Sequence, residues 1–212
     1  EWKGIVDDLG GPTANMYGLD GAPVAEAHRR LIGLMRAARR VRGVKKVFVR
    51  SGIRYDLALE SPEYVRELVR HHVSGLLKIA PEHVSDKVLR LMNKSGGRRA
   101  LDAFRALFAA AASSVRKGGR PLHLKYYFMV AHPGTTDREA RELADFLREL
   151  ERGGERPVEG VQIFTPTPMT RSACMYHTGK DPVTGESVYV PRPYAEKKAQ
   201  KRMLVGASGD AD

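Results

Sequence analysis

The sequence predicts an α/β protein built on parallel strands, and two observations carry that expectation. Five short apolar runs, at 5–9, 44–49, 76–79, 126–130 and 161–164, each stop at a cluster of Gly, Pro and polar residues. Four of those clusters lead on into a stretch with helical periodicity. Such β-α alternation implies parallel strands joined by right-handed crossovers. It does not separate a doubly wound sheet from part of a barrel. In either architecture the loops leaving the strand C-termini gather on one face, where ligands bind. The chemistry is therefore sought in the five clusters.

The elements follow in order. The strand at 5–9 is closed by the breaker Gly10-Gly11-Pro12. Pro23 suits the first turn of a helix reaching about residue 42, with Leu31, Leu34, Met35 and Ala38 on one face. Gly43 is a C-terminal stop, and the β-branched run 44–49 suits a strand covered on both sides. Ser61 and Pro62 open a helix to about residue 72, followed by a strand at 76–80. Ser85 and Asp86 cap a short helix to about residue 93. Gly96-Gly97 precede a long Ala-rich helix, about 100–117, and the fourth strand spans 123–130. Thr136 and Asp137 start a helix to residue 151, and the fifth strand enters a Pro-rich segment. Helix and strand signals are weak after Met175, and the closing GASGDAD has the composition of a disordered tail.

A chain of 212 residues, 42% hydrophobic, can bury a sizeable core. It has no apolar run of about eighteen residues that would span a membrane. One cysteine, Cys174, excludes an internal disulfide and any cluster held by several thiolates of this chain, and a reducing cytoplasm suits it. The formal charge of +11 is concentrated at 36–54, 96–99 and 196–202. A positive surface attracts polyanions, which keeps weak nucleic-acid binding open, although charge runs more often line solvated helix faces.

Each cluster has a chemical and a plain reading. In GGPTANMY two glycines free backbone N–H groups, and Thr13 and Asn15 add hydrogen-bonding groups that could hold a small ligand; the plain reading is a tight turn. In RSGIRYD, Arg50 with Ser51 could grip a carboxylate or phosphate, whereas an ion pair of Arg54 or Arg50 with Asp56 is the dull alternative. Lys78 lies in an otherwise apolar strand, so its ammonium is expected to need a partner or a cavity, and the functional reading is preferred. Glu82 and His83 follow it and could bind hydroxyls or move protons. His132 precedes a Pro-Gly turn, and Phe128 and Met129 read as core. Cys174 and His177 are too solitary for a metal site, and no phosphate-binding glycine loop or catalytic motif of known type occurs.

Taken in order, GGPTANMY, GVKKVFVRSGIRYDLAL, PEYVRELVRHHVSGLLKIAPEH, AHPGTT, VQIFTPTPMT, MYHTGKDP and YVPR resemble the YgiQ-type family of radical S-adenosylmethionine proteins, over about residues 5–198. The resemblance implies a partial (β/α)6 barrel, TIM-like, with S-adenosylmethionine lying across the strand C-termini. In that superfamily a [4Fe-4S] cluster on three cysteines of a CxxxCxxC loop cleaves the cofactor reductively to a 5′-deoxyadenosyl radical. By this likeness Gly10, Gly11, Pro12 and Thr13 correspond to the segment holding the methionine amino group. Arg50, Ser51, Lys78 and Glu82 would face cofactor or substrate, and Phe164 would pack near the adenine. Asn15, Asp56, His83 and His132 remain candidates for substrate contact or for structure.

The chain departs from the pattern in two places. It has no CxxxCxxC, and Leu19–Pro23 passes directly into the helix where family members carry a cysteine-rich stretch. The expectation is therefore barrel strands two to six in residues 1–170, then an extension at 171–212. Such a fragment of a radical enzyme would have no metal ligands of its own. The rival reading is a basic nucleic-acid-binding module without radical chemistry.

Overall fold

The computed structural model describes residues 2–10, 13–115, 121–155 and 158–205. Among these the order is β1 (Ile5–Val6), α1 (Val24–Arg40), β2 (Lys46–Val47), α2 (Tyr55–Leu59), α3 (Pro62–Glu67), β3 (Leu76–Glu82), α4 (Asp86–Leu91) and α5 (Arg98–Ser113). Then come β4 (His123–Val130), α6 (Asp137–Arg152), β5 (Val158–Ile163), α7 (Arg171–Thr178) and α8 (Tyr194–Val205). The fold is mixed α/β, and β1–β2 and β4–β5 pair in parallel.

The expected single sheet is divided into one of order β1-β2 and one of order β3-β4-β5. The first ladder is short: Phe48 still bonds to the Val6 carbonyl and the Leu9 amide, but the Val49 amide turns to the His72 carbonyl. The amides of Arg50 and Ser51 both donate to Oδ1 of Asp8, at 2.9 and 3.3 Å. What remains between the 50–54 loop and β3 is a single parallel bridge, Ile53 to Ile79.

The chain forms two compact units, Glu1–Ala80 with Arg99–Lys125, and Pro81–Arg98 with Tyr126–Asp212. In the first, α1 buries Ala27, Leu31, Ile32 and Met35 at helical spacing, and its arginines fall largely on the other side. Leu34, expected on that apolar face, is exposed. Tyr55 of α2 meets Phe104 of α5 with ring centroids 6.2 Å apart. The helix expected from residue 61 to 72 is α3 followed by a π-helical turn, Leu68–His72. The turn sets His72 Nδ1 to donate to the Val47 carbonyl at 2.8 Å, which fixes β2 against the helix.

Alternation along β4 buries Leu124 and, in the second unit, Tyr126, Phe128 and Val130. The last five residues of β4, Tyr126–Val130, lie beside Val158–Ile163 of β5, with one irregularity after Tyr126. Tyr126 and Phe128 stack at 6.0 Å, and Phe146 of α6 stands edge-on to both. The start of α6 is a capping box, with Thr136 and Glu139 satisfying each other's backbone N–H groups. Helix α8 packs on α6 and β5.

Three helices were not anticipated. Helix α2 occupies YDLAL, where five residues are too few for a periodic signal. Helices α7 and α8 lie in the segment with weak signals. Helix α7 is set by a Thr170 cap and a left-handed Gly179 stop. The GASGDAD tail lies outside the described residues. No described helix is long and apolar enough to cross a membrane.

Candidate functional site

The loops after β1 and β2 are clasped together. Asn15 is fully buried, and its side-chain amide pairs with the backbone of Arg54, donating to the carbonyl and accepting from the amide at 2.8 Å each. The Ala14 amide donates to the Gly52 carbonyl, and His28 Nε2 donates to the Asn15 carbonyl at 3.0 Å. Asn15 is therefore a structural residue that substitutes for a rung of sheet. An Asn15→Ala variant strands a buried N–H and C=O, so a loss of about 2–3 kcal/mol is expected, read as a lower urea midpoint.

Gly10 has an equally local reason to be glycine. A Cβ there would lie 2.8 and 2.9 Å from the Cβ and Cα of Ala14. Gly11 and Pro12 lie outside the described residues. Thr13 is half-buried, precedes a 3-10 turn (Ala14–Met16), and makes no side-chain cap.

Arg50 and Ser51 stand at the C-terminal end of β2 beside two carboxylates that sequence reasoning missed. Arg50 pairs with Asp7 at 2.8 Å, and the Ser51 hydroxyl donates to Asp8. Burial raises the Asp8 carboxyl, but the bonds from the Ser51 hydroxyl and from the Arg50 and Ser51 amides outweigh it and hold the group below its ordinary range. Asp7 and Arg50 both remain exposed. The signal was available: adjacent aspartates closing a strand before Gly-Gly. Arg54 does pair with Asp56, Nε to Oδ1 at 2.9 Å, so that plain alternative holds.

The burial of Lys78 is corrected. Positions 77, 79 and 81 of β3 are buried, whereas 76, 78, 80 and 82 are exposed or half-buried, so Lys78 lies on the accessible side. A strand with both faces covered would have forced the ammonium to find a cavity; one-sided cover does not. Much of the basic stretch is also committed. Arg36 and Arg39 each meet the buried Glu67 at 2.9 Å, and Arg50 and Arg54 are paired as above. Those charges are partly spent before any polyanion arrives.

In the second unit β3 ends at Glu82 with φ 67°, and β4 is followed by Ala131 with φ 59°. Neither is glycine, and left-handed backbone costs such residues roughly 1–2 kcal/mol. Strain of this kind concentrates at functional sites. Glu82 Oε1 accepts from Lys94 at 3.0 Å, while its buried Oε2 has no hydrogen-bond partner. The Ala131 amide is held by Gln200 of α8, whose side chain also donates to the Thr135 carbonyl. No local pattern in the sequence announces that contact.

His83 and His132 are both buried. The Ser85 amide donates to His83 Nδ1 at 3.0 Å, which places the proton on Nε2, and that nitrogen is buried without a partner. Burial, then the proximity of His132, pushes the His83 pKa down to about 3. His132 Nδ1 donates to the Pro133 carbonyl at 2.7 Å, leaving Nε2 to accept from the Ser172 hydroxyl at 2.8 Å. Burial pushes this imidazole down to about 4 against the pull of the carbonyl. Phe164 is buried, its ring 4.9 Å from that of His132 and 5.9 Å from Tyr176, and thus serves the core of this unit.

Cys174 and His177 are exposed on α7. Among the described residues no three His, Cys, Asp or Glu side chains stand close enough to hold a metal ion.

Comparison with known proteins places these loops in a family. Residues 159–207 match a family model described as a domain of unknown function, DUF3362. A UPF0313 protein of Methanosarcina acetivorans is 43% identical over 96% of the chain and 29% of its own length. One from Geobacter sulfurreducens is 45% identical over 96% of the chain and 36% of its own length. One from Vibrio cholerae is 42% identical over 95% and 27%. The chain spans about a third of the length of the curated relatives it matches. The chain belongs to the UPF0313 family, the YgiQ-type proteins.

Proposed function

We propose that this chain is the part of a radical S-adenosylmethionine enzyme that supplies cofactor-facing loops, and that its strands are part of a (β/α)6 barrel. One observation carries the reading. Two of the loops that carry the family resemblance, GGPTANMY and RSGIRYD, leave adjacent parallel strands and are tied to each other by Asn15, Ala14 and Asp8.

The residues suit one half of the cofactor system. S-adenosylmethionine carries an ammonium and a carboxylate, and the β1–β2 edge offers an exposed Asp7 carboxylate and an exposed Arg50 guanidinium. Lys78, on the accessible side of β3 in the same unit, is a further contact of suitable chemistry. The cluster does not suit this chain, which has one thiol and no metal-holding group among its described residues. Its ligands are assigned to the portion of the whole protein outside these residues. When bound together, cluster and cofactor supply a 5′-deoxyadenosyl radical. The part of Asp7, Arg50 and Ser51 is to bind and orient the amino-acid end, and that of the Asn15 clasp is to hold the two loops in register.

Titration calorimetry of the chain with S-adenosylmethionine is expected to show saturable binding that Arg50→Ala weakens about tenfold or more. Anaerobic reconstitution with iron and sulfide is expected to give no stable [4Fe-4S] absorbance. A cluster on this polypeptide alone, or no heat on titration, would refute the respective half of the proposal.

A further inference from the structure

A second site lies wholly within the second unit and stands whether or not the strand-end loops hold S-adenosylmethionine. Between α4 and the turn at 184–189 is a cleft of about 850 Å³. That is within the usual range for small-molecule sites, roughly 300–1,000 Å³. Four cations line it, Lys87, Arg90, Lys94 and Arg171.

Three of the four are held by carboxylates. Lys87 meets Glu139 at 3.0 Å, Lys94 meets Glu82 at 3.0 Å, and Arg171 grips both oxygens of Asp181 at 2.7 and 2.8 Å. Arg90 has no ion pair among the described residues and is exposed beside the cleft in the last turn of α4. The Nε–H of Arg171 is buried without a hydrogen-bond partner, although the other end of its guanidinium is anchored. A buried, unmet charged donor is costly, and an anionic oxygen would satisfy it.

The walls are preformed. The Gly134 amide donates to the Tyr189 carbonyl at 2.7 Å, fastening the 184–189 turn to the loop after β4. Gly134 has φ 93°, a backbone conformation that favours glycine, and a Cβ there would press on the Leu91 side chain of α4. Besides the cations the lining is mostly polar, including Asn93, Thr184, Ser187 and the exposed carboxylate of Glu186. Such groups suit ligand hydroxyls. The carboxylate also disfavours a bare polyanion.

We infer that this cleft binds a small hydroxylated anion, a polyol bearing a phosphate or carboxylate, with the anionic group on Arg90 and Arg171 and the hydroxyls toward Glu186 and its neutral neighbours. The wall from Arg171 to Tyr189 falls within the domain of unknown function, which gives that domain a binding role.

The test titrates the full chain with ribose 5-phosphate, ribonate and ribose by calorimetry, with no S-adenosylmethionine present. Arg90→Ala is the variant of choice because no ion pair is lost, and circular dichroism confirms its fold. At least one of the two anions is expected to bind saturably, with neutral ribose much weaker, and the comparison of phosphate with carboxylate identifies the anionic group. Arg90→Ala is expected to weaken binding about ten- to a hundredfold. The inference is overturned if neither anion binds at millimolar concentration, if ribose binds as tightly, or if Arg90→Ala leaves the affinity unchanged.

Discussion

Acidification from about pH 7 to about pH 5 is expected to cost the second unit roughly 4 kcal/mol, about 2 from each of His83 and His132. Both imidazoles are buried and neutral, with folded-state pKa values pushed down to about 3 and about 4. Unfolded, each titrates near the ordinary histidine value of about 6.5. Below that value the unfolded chain takes up protons that the folded chain refuses, so stability is full above it and falls as the pH drops toward the folded values. His28 and His72 of the first unit are shifted in the same direction, with burial the largest cause. Urea midpoints at the two pH values measure the effect. An unchanged midpoint would show that the histidines are protonated in the folded protein, which contradicts the donor–acceptor pattern at Pro133, Ser172 and Ser85.

Phe128→Ala is expected to destabilise the protein by about 3–5 kcal/mol, the range for emptying a large buried aromatic site. The ring is fully buried, stacked on Tyr126 and met edge-on by Phe146. It joins β4 to α6, so its removal strips contacts from both layers of the second unit and leaves a cavity that rigid strand neighbours cannot close. Phe128→Leu keeps most of the volume, and a loss roughly half as large is expected from it. Equal losses in the two variants would mean that the site collapses around either side chain, and the packing account would fail.

Much of the fold was legible. The limits of β4 and the start of α6 at Thr136 and Asp137 follow from alternation and from helix-start residues, both of them local signals. So does the extent of α1, within two residues at its C-terminal end. The site was less legible. Gly10, Asn15 and Asp56 are of types and at positions that suit chemistry, and their neighbours are other parts of the chain: Ala14, the Arg54 backbone and the Arg54 guanidinium. A side chain of the right type at a strand end gives no information about which partner reaches it first.

Lys78 shows the same limit from the other side. Its apolar neighbours in sequence suggested burial, but a strand covered on one face places alternate residues in the open, and no run of seven residues reveals how many faces are covered. The Gln200 contact to Ala131 and the Ser172 contact to His132 join residues 69 and 40 positions apart. Nothing in either stretch encodes the other.

The sequence by itself determined the parallel α/β character, the order of the five strands and the loops that mark the family, because each depends on periodicity or on strings of neighbouring residues. The tertiary structure alone decided that the sheet divides after β2, that the Asn15 clasp holds two loops in register, and that Arg90 and Arg171 line one cleft. Those outcomes depend on which of several competing partners each polar group meets in three dimensions.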